Sequence, residues 1–250
     1  MPPKKDPLAR LPVPTDSISE LPFETSELRR LLEKFLNTLV DNPLTKKKIK
    51  IGNFKWGVYA FYDYDGEPIY VGQTKESLRT RIRRHLTNQR TDAVAMNVLD
   101  PFEVYKIIVY PLPHLQIDSA KNVSAKQKLD ALERKVYEQA IADSKFSAIL
   151  NEKEPPVATV EVEVPEKFEC VIVSEAVKKI REHPDIRVAR RTQTISRLAQ
   201  VIAERKVQKG LRSVLLIQAK RLEWLAQRRL QNAADVPESE ADWVPKKEED

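Results

Sequence analysis

Two tyrosines, one arginine, one histidine and one glutamate follow one another along this chain, and they are residue types from which a phosphodiester-cutting site could be built. Tyr59 closes the triplet Gly57-Val58-Tyr59 and Tyr70 opens the triplet Tyr70-Val71-Gly72, with ten residues between the tyrosines. Arg81 and His85 follow, then Glu133, then Asn151. Cutting a phosphodiester takes an activated water, positive charge on the phosphoryl oxygens and help for the leaving oxygen. A tyrosine hydroxyl can take the water's proton if nearby cations lower its pKa. Arginine holds a phosphate oxygen and cannot lose its charge. Histidine can relay a proton.

The elements around these residues can present them together. Four of the five glycines, Gly52, Gly57, Gly66 and Gly72, fall in one short window and mark tight turns and close backbone approaches. Val58 to Tyr62 and Pro68 to Val71 read as strands, with Asp65-Gly66 as a hairpin turn between them. Two adjacent antiparallel strands hold both hydroxyls on one face. A helix is predicted over about 76–89, where Leu78, Ile82 and Leu86 recur every four residues. Arg81 and His85 are also four apart and fall beside that stripe, at the edge of the core. Phe102 to Tyr110 reads as a third strand. A second helix spans about 124–143, and Glu133 lies on its apolar face with Leu129, Leu132, Val136 and Ala140. A carboxylate there is costly unless it meets a partner or a metal. Glu138 points the other way.

The ordered set resembles the GIY-YIG nuclease family over roughly residues 53–153. The resemblance implies an α+β domain of order β-β-α-β-α, with a three-stranded sheet flanked by helices. It makes Tyr59 the candidate base, Tyr70 its support, Arg81 and His85 the second motif, Glu133 the ligand of a single divalent metal and Asn151 the closing asparagine. Mg²⁺, or Mn²⁺ in its place, suits a site with one carboxylate, because it keeps waters and takes phosphate oxygens. The family often carries lysine directly after the second triplet. Here Gln73 stands there and Lys75 lies two residues on, as a candidate phosphate contact with Arg79 and Arg84 of the next helix. The spacing from Glu133 to Asn151, with 17 residues between, is longer than the usual dozen or so and points to an insertion around 143–147.

Outside that region the chain divides by composition. Residues 1–50 comprise a proline-rich arm, a helix predicted over 25–41 and a basic stretch whose Lys47 and Lys48 could add phosphate contacts. Residues 154–170 read as a linker. Residues 171–232 read as a basic helical accessory region, with helices at about 174–182, 190–208 and 211–230, and residues 233–250 as a disordered acidic tail. Residues 177–229 hold 15 Lys/Arg against 4 Asp/Glu, and Arg190 and Arg191 are the leading candidates for backbone phosphate contact. The same helices could instead pack on the nuclease domain or on a second copy, giving a homodimer. Net charge of +6 favours an anionic partner, and DNA is the expected one. One cysteine, Cys170, rules out an intramolecular disulfide and suits a reducing cytoplasm. No membrane span or signal core is apparent.

These observations point to a metal-dependent DNA endonuclease of restriction or phage-defence type. A nucleic-acid-binding protein that keeps the fold without cutting is the alternative, and an interaction protein that dimerises through the C-terminal helices is the third.

Overall fold

The computed structural model describes residues 23–87, 98–204 and 209–233. The proline-rich arm, the acidic tail beyond Ala233, and Arg205 and Lys206 lie outside the described residues. The chain runs α1 (Phe23–Leu36), β1 (Leu39–Asp41), β2 (Lys48–Lys50), β3 (Gly57–Tyr62), β4 (Pro68–Thr74), α2 (Leu78–Leu86), β5 (Lys106–Pro111), α3 (Val123–Asp143), β6 (Phe168–Val171), α4 (Glu175–Arg181), α5 (Pro184–Glu204) and α6 (Lys209–Ala233).

The architecture is α+β, around an antiparallel sheet of order β4-β3-β5-β6. It has four strands rather than the three expected. Phe168–Val171, which straddles the end of the segment read as a linker, pairs with β5 from Lys106↔Val171 to Val109↔Phe168. The strand is only four residues long, and its faces alternate half-buried and exposed, so its hydrophobic signal is weak. The first helix is also shorter than predicted. It ends at Leu36, and Leu39–Asp41 turns back to pair with Lys48–Lys50 as a separate hairpin.

Alternation along the strands sends two sets of side chains to opposite faces. Tyr59, Phe61, Ile107 and Val109 face α1 and α2, in a core that Val177, Leu198, Ile202, Leu211 and Val214 of the C-terminal helices also join. Val58, Ala60 and Val71 face α3, against Leu129, Leu132, Val136 and Ala140. The helix starts are set locally. The Ser77 hydroxyl accepts from the Thr80 amide at the head of α2, and Asn122 accepts from Ala125 at the head of α3.

Asp63 organises the turn between β3 and β4. Its Oδ1 accepts from the amides of Asp65 (2.9 Å) and Glu67 (3.1 Å), and Gly66 takes a left-handed conformation at φ 72°. Its Oδ2 accepts from three buried guanidiniums of the C-terminal helices: Arg221 at 2.7 Å, Arg191 at 2.9 Å and Arg187 at 3.3 Å. Arg191 also donates twice to Glu103, and Arg187 pairs with Asp65 at 2.8 Å. This cluster seats α5 and α6 on the sheet.

Arg190 and Arg191 are therefore corrected. Arg191 is buried and spent on Asp63 and Glu103, while Arg190 grips both oxygens of Asp100 at 3.0 Å and stacks on Phe102. A periodic basic helix looks the same in sequence whether its arginines face solvent or a buried carboxylate. The hairpin's apolar residues Leu198, Ile202, Leu211, Val214 and Leu225 are likewise buried within the chain, so they do not form the dimer face considered above.

Breaking a buried pair costs about 3–5 kcal/mol when one partner is left uncompensated. Asp63→Asn, which keeps an acceptor for the turn but removes the anion, is expected to lose stability in that range, read from the midpoint of urea unfolding.

Candidate active site

The site forms on the β3–β4 hairpin, at the sheet edge that β4 provides. Tyr59 pairs in register with Gly72, and its ring lies across that glycine. A Cβ added at Gly72 would fall 2.5 Å from the Tyr59 hydroxyl, 2.7 Å from its Cζ and 2.9 Å from Tyr70 Cε1. The absence of a side chain at 72 is thus what lets both tyrosines settle there. Gly57 has a related reason: a Cβ would meet the Tyr110 carbonyl at 3.0 Å, where β5 crosses closely.

Tyr59 is fully buried, and its hydroxyl lies 2.8 Å from Nε2 of buried His85. Tyr70 packs against the same histidine, ring centroids 5.0 Å apart, and stacks on Phe61 at 5.9 Å. Burial pushes the Tyr59 phenol well above its ordinary value and Tyr70 adds to this, while the Arg81 guanidinium works the other way. This reverses the expectation that cations would lower it. Desolvation wins, the phenol is neutral, and its oxygen shares a hydrogen bond with His85 Nε2.

Arg81 is the arginine of α2 left available. Arg79 is tied to Glu33 and to the Leu36 carbonyl, Arg83 pairs with Glu33 at 3.5 Å, and Arg84 pairs with Glu76 at 2.9 Å. Among the described residues Arg81 makes no ion pair with a carboxylate, and its buried Nε has no hydrogen-bond partner. Glu133 arrives from α3, nearly buried. Burial, then the charge of Asp130 one turn earlier, push its carboxyl up to about 7; Arg81 and the Gln73 amide oppose this.

Two clefts open at these residues. One, of about 220 Å³, is lined by Gln73, Lys75, Arg81, Lys126 and Asp130 among others. The other, of about 310 Å³, is lined by Tyr70, His85, Glu133, Asn151 and the segment through Pro156. The structure brings Tyr59, Tyr70, Arg81, His85 and Glu133 together. Asn151 has a different task. Its side chain accepts from the Val71 amide at 3.1 Å and donates to the Val71 carbonyl at 2.8 Å, closing the free edge of β4 between Tyr70 and Gly72. Lys75 lines the first cleft, but Lys47 and Lys48 sit on the β1–β2 hairpin and line neither, with Lys48 bonded to Asp41 at 3.0 Å.

Sequence reasoning missed Asp130 and the service of α6. Asp130 precedes Glu133 by three residues, so the two carboxylates share a helix face, a spacing that could have been read. The part played by α6 could not. Gln218 donates to the Val98 carbonyl at 3.3 Å, and Gly210 lies so close to the Glu152 backbone that a Cβ would stand 1.9 Å from its oxygen. Val98 and Glu152 both line the larger cleft.

Residues 55–138 match the family model of the GIY-YIG catalytic domain. This part of the chain is a GIY-YIG domain, and the domain points to nuclease activity. No curated protein and no solved structure matches the chain. No described helix is long and apolar enough to cross a membrane.

Two outcomes are expected. Gly72→Ala displaces Tyr59 from His85, and a misplacement of about 1 Å costs ~100-fold in rate, read as loss of plasmid nicking by a variant that still folds. The second concerns pH. The folded Glu133 carboxyl holds its proton more firmly than the unfolded one, so its stabilising contribution is full below about pH 4.5 and lost as the pH rises through about 7. The metal-free protein is expected to lose up to about 3 kcal/mol from this group between pH 4 and 9. Glu133→Gln removes that component, measured by urea unfolding across pH.

Proposed function

We propose that the protein is a metal-dependent DNA endonuclease, with restriction or phage defence as its setting. The observation that carries this reading is the convergence of Tyr59, His85, Arg81 and Glu133, from one strand and two helices, on clefts at a single sheet edge.

Water attacks phosphorus and gives its proton to the Tyr59 oxygen as the Tyr59 proton passes to His85 Nε2. Tyr59 thus acts as a base without resting as a phenolate, which suits a phenol held neutral by burial. Arg81 neutralises the phosphoryl oxygens as charge builds on them. Tyr70 packs His85 into place, and Asn151 fixes the strand that bears Tyr70. The P–O bond to the leaving sugar oxygen then breaks, its electron pair stays on that oxygen, and the oxygen takes up a proton from solvent water.

The donor set fits a hard divalent ion. Glu133 and Asp130 place two carboxylates on one turn of α3, and the Asp130 charge raises the cost of ionising Glu133. Mg²⁺ or Mn²⁺ held by Glu133 would supply further positive charge to the phosphoryl group.

Supercoiled plasmid incubated with Mg²⁺ tests the reading. Cutting is expected for the wild-type protein and is expected to fall by about 10²–10⁴-fold in Tyr59→Phe, with a comparable loss in Glu133→Ala. Differential cutting of methylated and unmethylated DNA supports the restriction setting. Salt-sensitive binding with no cutting in any metal would make the protein a binder that kept the fold.

A further inference from the structure

The β1–β2 hairpin forms a two-stranded sheet of its own, apart from the sheet that carries the site. Val40 and Ile49 lie opposite one another and pack on the core, which anchors the ribbon. Beyond them Pro43 to Lys47 are all exposed, and Leu44 keeps 60% of its surface. The turn is nonetheless held in one shape. The Asn42 amide donates to the Lys47 carbonyl at 3.0 Å, and the Asn42 carbonyl accepts from Lys46 at 2.9 Å. Asn42 Oδ1 accepts from the amides of Leu44 at 3.0 Å and Thr45 at 3.4 Å. Lys46, Lys47, Lys48 and Lys50 follow on the returning arm. Lys48 is bonded to Asp41, but among the described residues Lys46, Lys47 and Lys50 make no ion pair. The foot of the hairpin is tied to α2. The Ile51 amide donates to the Thr38 carbonyl at 3.0 Å, and Arg79 donates to the Leu36 carbonyl at 3.1 Å and to Asn37 Oδ1 at 3.0 Å. The same helix carries Arg81 and His85.

We propose that the β1–β2 hairpin is a DNA-reading ribbon whose tip enters the major groove of the duplex, with Leu44 and Thr45 against base edges and Lys46, Lys47 and Lys50 on the flanking phosphates. The inference rests on the DNA-cutting reading above. Three unpaired lysines within five residues match the closely spaced charges of a phosphate backbone. Shape then selects among nucleic acids. The major groove of B-form DNA, about 12 Å wide, admits a two-stranded ribbon, whereas the minor groove, about 6 Å wide, and the deep, narrow major groove of an RNA duplex do not. Lysines on phosphates set position, so sequence is read by the groups at the tip, where the aliphatic Leu44 suits a thymine methyl. The turn is formed before DNA arrives, and little ordering has to accompany binding. Because α2 holds both the foot of the ribbon and Arg81, it fixes how far the bases that are read lie from the bond that is cut.

The test reads binding of the full chain, without metal, to a labelled random-sequence DNA duplex and to an RNA duplex, across a range of salt concentration. The wild-type protein is expected to prefer DNA. In the triple variant Lys46→Gln/Lys47→Gln/Lys50→Gln the slope of log affinity against log salt is expected to fall by about 2–3, and the preference for DNA to vanish. A control triple, Lys179→Gln/Arg212→Gln/Lys220→Gln, removes the same charge from exposed positions off the ribbon and is expected to leave the slope as it is. Leu44→Ala is expected to keep the slope and to change the sequence enriched from a random DNA pool. All of these side chains are exposed, and thermal unfolding checks that each variant folds. An unchanged slope in the first triple, an equal fall in the control, or an enriched sequence indifferent to Leu44→Ala overturns the proposal. Equal binding of RNA, weakened equally by the first triple, makes the ribbon a general polyanion contact and overturns the groove assignment. Failure of the nuclease reading looks different: the wild-type protein would bind through the ribbon and cut no DNA when Mg²⁺ is added.

Discussion

The Asp63 carboxylate is the point on which the rest of the structure hangs. One of its oxygens shapes the β3–β4 turn, and the other is shared by three arginines from two C-terminal helices. All four side chains are buried, so the charges interact with little screening and none can be removed without stranding the others. The hairpin that carries both tyrosines is thereby tied to α5 and α6. Helix α6 in turn reaches the residues of the larger cleft, through Gln218 to Val98 and Gly210 to Glu152. The C-terminal helices are part of the scaffold of the candidate site rather than an appendage.

Desolvation sets the chemistry of the site. Tyr59 is sealed under α2 and over Gly72, and this burial outweighs the cation beside it. A neutral phenol next to a histidine nitrogen can pass a proton along without holding an anion. Glu133 experiences the same exclusion of water, which raises the cost of its charge. Both groups are poised by what surrounds them more than by what they touch.

The arginines show how one residue type divides between support and chemistry. Arg79 and Arg83 hold α2 to α1 through Glu33, Arg187, Arg191 and Arg221 hold the C-terminal helices, and Arg81 alone among the α2 arginines lines a cleft. On a helical wheel Arg81 differs from Arg79 by position beside the apolar stripe, and that difference could be read. Arg191 could not be distinguished from a solvent-facing arginine, because its partners lie 88 and 128 residues away in the chain.

The sequence by itself determined the hairpin, the two site helices and the residues placed on their inner faces. Those features follow from local periodicity, glycine at close approaches and spacing that repeats every two or four residues. It did not determine the fourth strand, since Phe168–Val171 is too short and too exposed to stand out and exists only because β5 offers it an edge. Nor did it determine that Asn151 clamps Val71, that Asp130 orients Gln73, or that the Tyr59 pKa goes up rather than down. Each of these depends on which distant groups share a small volume from which water is excluded, and only the tertiary structure decides that.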